Sequence, residues 1–164
     1  MYSKFETIFS RVTQAACTFF LAAIFVMFLL NVFVRFVPIY NFTQTDDWIQ
    51  FCLIWMIFLA AAELVRTKSH FVVDLATSQI ASPAVKRVMR VAVLLIELIT
   101  YVVICWYGIV WVMRSNAHMQ SIPWMEVRYV YLAIPVSAFF MAVFAVKQLG
   151  ETVTGKRDDT ETRE

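Results

Sequence analysis

Glu63, Arg66, His70 and Asp74 follow one another at steps of three, four and four. On a continuing helix they would form one stripe on one face. The stripe alternates in sign, and two kinds of work fit it. One is a set of local pairs, each contributing a few tenths of a kcal/mol. The other is an anchor that locks this segment against another chain. His70 could add a response near neutral pH, although a structural histidine is the plainer reading. Glu97 is the second candidate. It stands inside an apolar run, about 10 Å along a helix from Arg90 by helical rise. An ionisable group at such depth is costly unless paired, protonated or hydrated. Glu97 is therefore either an ion- or proton-coupling carboxylate or a contact within the bundle or to a partner subunit. A coupling site gathers several polar groups near the midplane. Asn31, Gln50, Thr100 and Ser137 are sparse and do not converge with Glu97, so the contact is favoured.

A third set, Arg35, Asp46, Asp47, Arg114, His118, Glu126 and Arg128, falls in the two loops on the opposite side from the stripe. Snorkelling and helix capping account for such residues. Their functional reading is the docking of an extracytoplasmic partner through complementary charge. Other chemistry lacks its parts. Haem ligation within a bundle needs axial ligands at membrane depth, and the two histidines, His70 and His118, fall in loops on opposite sides. Cys17, Cys52 and Cys105 each stand alone in an apolar run, with no paired thiols for disulfide chemistry and no clustered ligands for zinc. A net charge of +2 without a basic, aromatic-interleaved face argues against nucleic acid. No cofactor is expected.

The elements that must position these residues are membrane spans. Of 164 residues, 61% are hydrophobic and only 16% charged, against roughly a quarter charged in a soluble domain. The charges cluster between long apolar runs, at about 15–34, 48–65, 90–113 and 129–147. Each run is near the roughly 20 residues that cross a hydrocarbon core. The first is too long for a signal h-region and lacks a small-residue cleavage site, so it is expected to stay as a span. The basic residues then set orientation. Lys4, Arg11, Arg66, Lys68, Lys86, Arg87, Arg90, Lys147, Lys156, Arg157 and Arg163 fall on one side. That leaves only Arg35, Arg114 and Arg128 of the 14 on the other. The bias puts both termini in the cytoplasm.

The expected fold is an all-α membrane protein with four transmembrane helices, N-in and C-in, and amphipathic interfacial helices. The four-helix domain would cover 1–150, with interfacial segments near 3–12 and 70–81 and a disordered cytoplasmic tail over 151–164. Ser3-x-x-Glu6 reads as a capping box before an amphipathic stripe of Phe5, Ile8, Phe9 and Val12. Thr45, Asp46 and Asp47 offer a cap and acids at the start of span two. Ser82-Pro83 can open the helix into span three, and Pro135 should bend span four.

Four stretches together resemble the small membrane subunit of tripartite ATP-independent periplasmic (TRAP) transporters, the DctQ-like family. They are Asn31-Val32-Phe33-Val34-Arg35-Phe36, Thr45-Asp46-Asp47-Trp48 leading into Phe51 through Ala62, the spaced Arg66, His70 and Asp74, and Tyr131-Leu132-Ala133-Ile134-Pro135-Val136. The chain departs mildly from the pattern: Asp46 and Asp47 precede Trp48, and Ala60 stands where a glycine is usual. The resemblance implies a bacterial inner-membrane scaffold subunit of a Na⁺-driven importer of organic anions, carboxylates or sialic acid. Its partners would be a large membrane subunit, a periplasmic substrate-binding protein and the lipid bilayer. Glu63, Arg66, His70, Asp74 and Glu97 would serve partner contact or orientation. Arg35, Asp46, Asp47, Arg114 and Arg128 would serve periplasmic docking. A self-contained four-span carrier or channel using Glu97, and a membrane redox subunit, are the readings this displaces.

Overall fold

The structure, a computed structural model, describes residues 2–36, 44–68, 83–119 and 121–153. Helix α1 runs from Tyr2 to Phe36 and α2 from Thr45 to Lys68. α3 runs from Pro83 to Arg114, α4 is the short turn Arg128–Tyr131, and α5 runs from Ala133 to Val153. Four stretches are long and apolar enough to cross a membrane: Glu6–Phe36, Thr45–Thr67, Arg87–Arg114 and Arg128–Val153. They coincide with the four runs in the sequence, and the chain is an all-α, multi-pass membrane protein.

Local chemistry sets the boundaries. α2 opens with Asp46 and Asp47 in its first turn, where the helix dipole favours acids. α3 opens at Pro83, where the missing N–H costs nothing. Span four is interrupted at Leu132, between α4 and α5. Pro135 has no N–H to offer the Tyr131 carbonyl, so the ladder breaks one turn before the proline. The segment 3–12 belongs to α1, which continues from Tyr2 through span one. Its apolar stripe is divided: Phe9 packs inward against the rings of Phe140 and Phe144, while Ile8 and Val12 are exposed. Ser3 falls inside α1 rather than before it. At the other terminus Glu151, Thr152 and Val153 continue α5, and Thr152 is buried. The segment near 70–81, with His70 and Asp74, and residues 154–164 lie outside the described residues.

The helices pack in the order α1, α2, α5, α3; α1 and α2 are antiparallel, as are α5 and α3, whereas α2 and α5 run parallel, both finishing where α1 begins. α3 lies extensively on α5, α5 on α2, and α2 on α1. Small buried residues let the middle members approach closely: Ala62 on α2, and Ala133, Ser137, Ala138 and Ala145 on α5. Gly108 of α3 sits against the ring of Pro135, where an added Cβ would stand 3.2 Å from Cδ. The result is an open arrangement. The apolar window of α5 is 44% buried, that of α3 11% and that of α1 0%. α5 is the centre, and α1 and α3 are the two edges.

Candidate functional site

At the end where α1 begins and α5 finishes, polar side chains tie the helices together. The Ser10 hydroxyl on α1 donates to Glu63 Oε1 on α2 at 2.7 Å. Arg66, one turn after Glu63, grips the same carboxylate with two nitrogens, Nε to Oε2 at 2.9 Å and a terminal nitrogen to Oε1 at 2.6 Å. That terminal nitrogen also reaches Ser10 Oγ at 3.2 Å. Each of the three groups therefore satisfies the other two, and the bidentate fork fixes their geometry. Beside them Lys147 of α5 pairs with Glu6 of α1 and lies 3.5 Å from Glu151. Gln148 donates to the Val65 carbonyl at 3.2 Å, tying α5 to α2. Arg87 of α3 donates to the Val153 carbonyl at 2.5 Å, near the last turn of α5, where a cation suits the dipole.

The opposite end is organised differently. Residues 115–119 and 121–127 fold back over the start of α2. Met119 N–H donates to the Met125 carbonyl and Val127 N–H to the Ala117 carbonyl, each at 3.0 Å. Ile122 and Val130 are almost wholly buried there, with Met119 and Met125, against Trp48, Phe51 and Ile54. Asp47 accepts from the Ser121 N–H at 2.8 Å, and Trp55 Nε1 donates to the Tyr129 carbonyl at 3.1 Å. Asn31 of α1 donates to Asp46 at 3.0 Å, and Arg128 pairs with Glu126. Ser10 and Asn31, the outermost of the α1 side chains bonded to α2, are 21 positions apart, about 31 Å by helical rise. That separation matches a hydrocarbon core of about 30 Å.

Glu97 belongs to neither end. It is partly exposed on the flank of α3, close enough to Tyr101 to interact electrostatically. Among the described residues its carboxylate receives no hydrogen bond and no cation. Thr100, its neighbour one turn on, gives its hydroxyl to the Ile96 carbonyl at 2.8 Å.

The structure thus brings Glu63 and Arg66 together, as their spacing predicts, and adds Ser10 from another helix. Asp46, Asp47 and Arg128 are held by partners within the chain, whereas Arg35 and Arg114 are exposed. Sequence reasoning missed Ser10, Lys147 and Gln148 as ties between helices. Glu6 reads in sequence as half of a capping box, yet its carboxylate belongs to Lys147. The one available signal was position: each is a polar residue at the edge of an apolar run.

Two comparisons bear on this arrangement. The family profile of the DctQ component of tripartite ATP-independent periplasmic transporters matches residues 24–155. No curated protein matches the chain.

Proposed function

The chain belongs to the family of DctQ components of tripartite ATP-independent periplasmic transporters, and from that premise we propose that it is a non-catalytic scaffold subunit of a Na⁺-driven importer of organic anions. In this reading a periplasmic protein captures the substrate, a carboxylate or sialic acid. A large membrane subunit carries the substrate and the Na⁺ across the inner membrane. This chain lies beside that subunit, with both termini in the cytoplasm, and widens its fixed part.

The observation that carries the reading is where the polar residues are used. The strongest polar contacts that join one helix to another lie at the two ends of the helices, Ser10, Glu63 and Arg66 at one and Asn31 with Asp46 at the other. A carrier needs polar groups converging at mid-depth, and Glu97 stands there without such company. The ties suit a rigid body held at a fixed depth while a partner's transport domain moves. Glu63, Arg66, His70 and Asp74 serve orientation at the cytoplasmic edge in this reading. Arg35 and Arg114 are the rim charges best disposed to meet the binding protein, because Asp46, Asp47 and Arg128 already have partners in the chain.

Reconstitution tests it. Vesicles holding this chain alone should not accumulate substrate under a Na⁺ gradient. Vesicles holding it with the large subunit and the loaded binding protein should. Uptake by the isolated chain would overturn the scaffold reading in favour of a self-contained carrier.

A further inference from the structure

The two edges of the helix row differ in chemistry. Between Phe19 and Leu30 the α1 edge carries no polar side chain, and its exposed residues, such as Phe19, Phe25 and Phe28, suit lipid tails. The α3 edge does not. Glu97, Thr100, Ile104, Tyr107, Trp111 and Arg114 succeed one another at steps of three, four, three, four and three. That alternation of three and four stays close to 3.5 residues, the period at which one helix presents a continuous seam to another. All six are exposed or partly exposed, Tyr107 at 69% and Trp111 at 60%. The seam is about 26 Å long by helical rise. Its outer half borders a cleft of about 650 Å³ lined by Trp106, Tyr107, Trp111 and Arg114. Its inner end is Glu97, whose carboxylate meets no donor among the described residues. A carboxylate facing lipid at that depth is strongly disfavoured, so such groups turn toward another protein surface or a water-filled cavity.

We infer that this seam on α3 is where the large membrane subunit packs, through one of its helices lying along Glu97 to Trp111, short of the rim at Arg114, and presenting a hydrogen-bond donor or cation opposite Glu97. The inference rests on the scaffold reading above and deepens it by choosing the edge and the chemistry of the partner. The α1 edge is then the lipid face. Tyr107 and Trp111 supply large, rigid contact area, and Glu97 fixes the register, because sliding by one turn would leave both its charge and the partner's donor unpaired.

Photo-crosslinking in the intact complex decides it. A benzophenone side chain is placed at Ile104 or Tyr107, and in parallel at Phe25 or Phe28, with the chain co-produced with its large subunit. Adducts to the large subunit from positions 104 and 107, at least tenfold more abundant than from 25 and 28, are expected. Adducts chiefly from α1, or only lipid adducts from α3, in a complex that still co-purifies would overturn the edge assignment and leave the scaffold reading standing. Failure of the two proteins to co-purify at all would overturn both. Glu97→Leu should lower the yield of complex several-fold while the isolated chain keeps its own thermal midpoint, and Glu97→Gln should restore part of the yield. An unchanged yield for Glu97→Leu would remove Glu97 from the interface.

Discussion

The two ends of this helix row solve the same problem with different materials. Where α1 begins and α5 finishes, the helices are joined by charge and hydrogen bonds: Ser10 with Glu63 and Arg66, Lys147 with Glu6, Gln148 with the Val65 carbonyl. At the other end Met119, Ile122 and Met125, which follow α3, form a small apolar core with Val130 of α4 against Trp48 and Phe51. The difference follows from what the chain can bury. In the lipid, apolar side chains gain little from one another, because the tails are as apolar as they are. A folded loop beyond the lipid removes apolar surface from water and gains the full hydrophobic term. The first end has no such loop among the described residues and uses directional polar contacts. In a partly desolvated setting those contacts are strong only when each group is satisfied.

The sharpest way to break the comparison is at the apolar end. Ile122→Ala should cost about 3 kcal/mol, since a fully buried side chain leaves a cavity in a small core. Thermal unfolding in bicelles, followed by the fluorescence of Trp48 and Trp124, should show that end loosening first; an unmoved midpoint would mean the loop is no core. At the polar end, Glu63→Leu strands Arg66 and Ser10 together. It should cost about 2 kcal/mol, less than a wholly buried pair because Arg66 and Glu63 keep 22% and 16% of their side-chain exposure. Adding Ser10→Ala to it should cost much less than Ser10→Ala alone, as expected for residues of one network. Full additivity in that double-mutant cycle would separate Ser10 from the pair. Asn31→Ala should cost about 0.6 kcal/mol, the usual worth of one hydrogen bond between membrane helices. The smallest effect belongs to Lys147→Gln, about 0.5 kcal/mol or less, because both partners of this ion pair are partly solvated. Raising the ionic strength should shrink that difference, whereas the Ile122→Ala loss should not respond to salt. A salt-dependent Ile122→Ala effect would erase the distinction between the two ends.

Much of this was legible from residue order. Long apolar runs bounded by charges name the spans, because nothing but a helix can carry them through lipid. Pro83 and Pro135 mark a start and a break because a missing N–H has the same consequence wherever it falls. The Glu63 and Arg66 pair is legible because residues three apart on a helix are neighbours whatever lies around them. Ser10 joining that pair was not, since 53 positions separate it from Glu63 and no periodicity relates them. Asp46 and Asp47 read in sequence as acids at the start of span two and as docking charges, yet Asn31 and the Ser121 N–H hold them. Only the return of distant segments could reveal those partners.

The sequence by itself determined that this is a four-span, all-α membrane protein, and its ordered motifs pointed to the DctQ family. Hydropathy and local helix rules act within about 20 residues and need no knowledge of what packs where. The tertiary structure decided that α5 sits at the centre, that α1 and α3 become edges, and that Glu97 has no partner among the described residues on one of them. Those facts depend on which helix faces approach, and small residues such as Ala62, Ser137 and Gly108 permit that approach without dictating it.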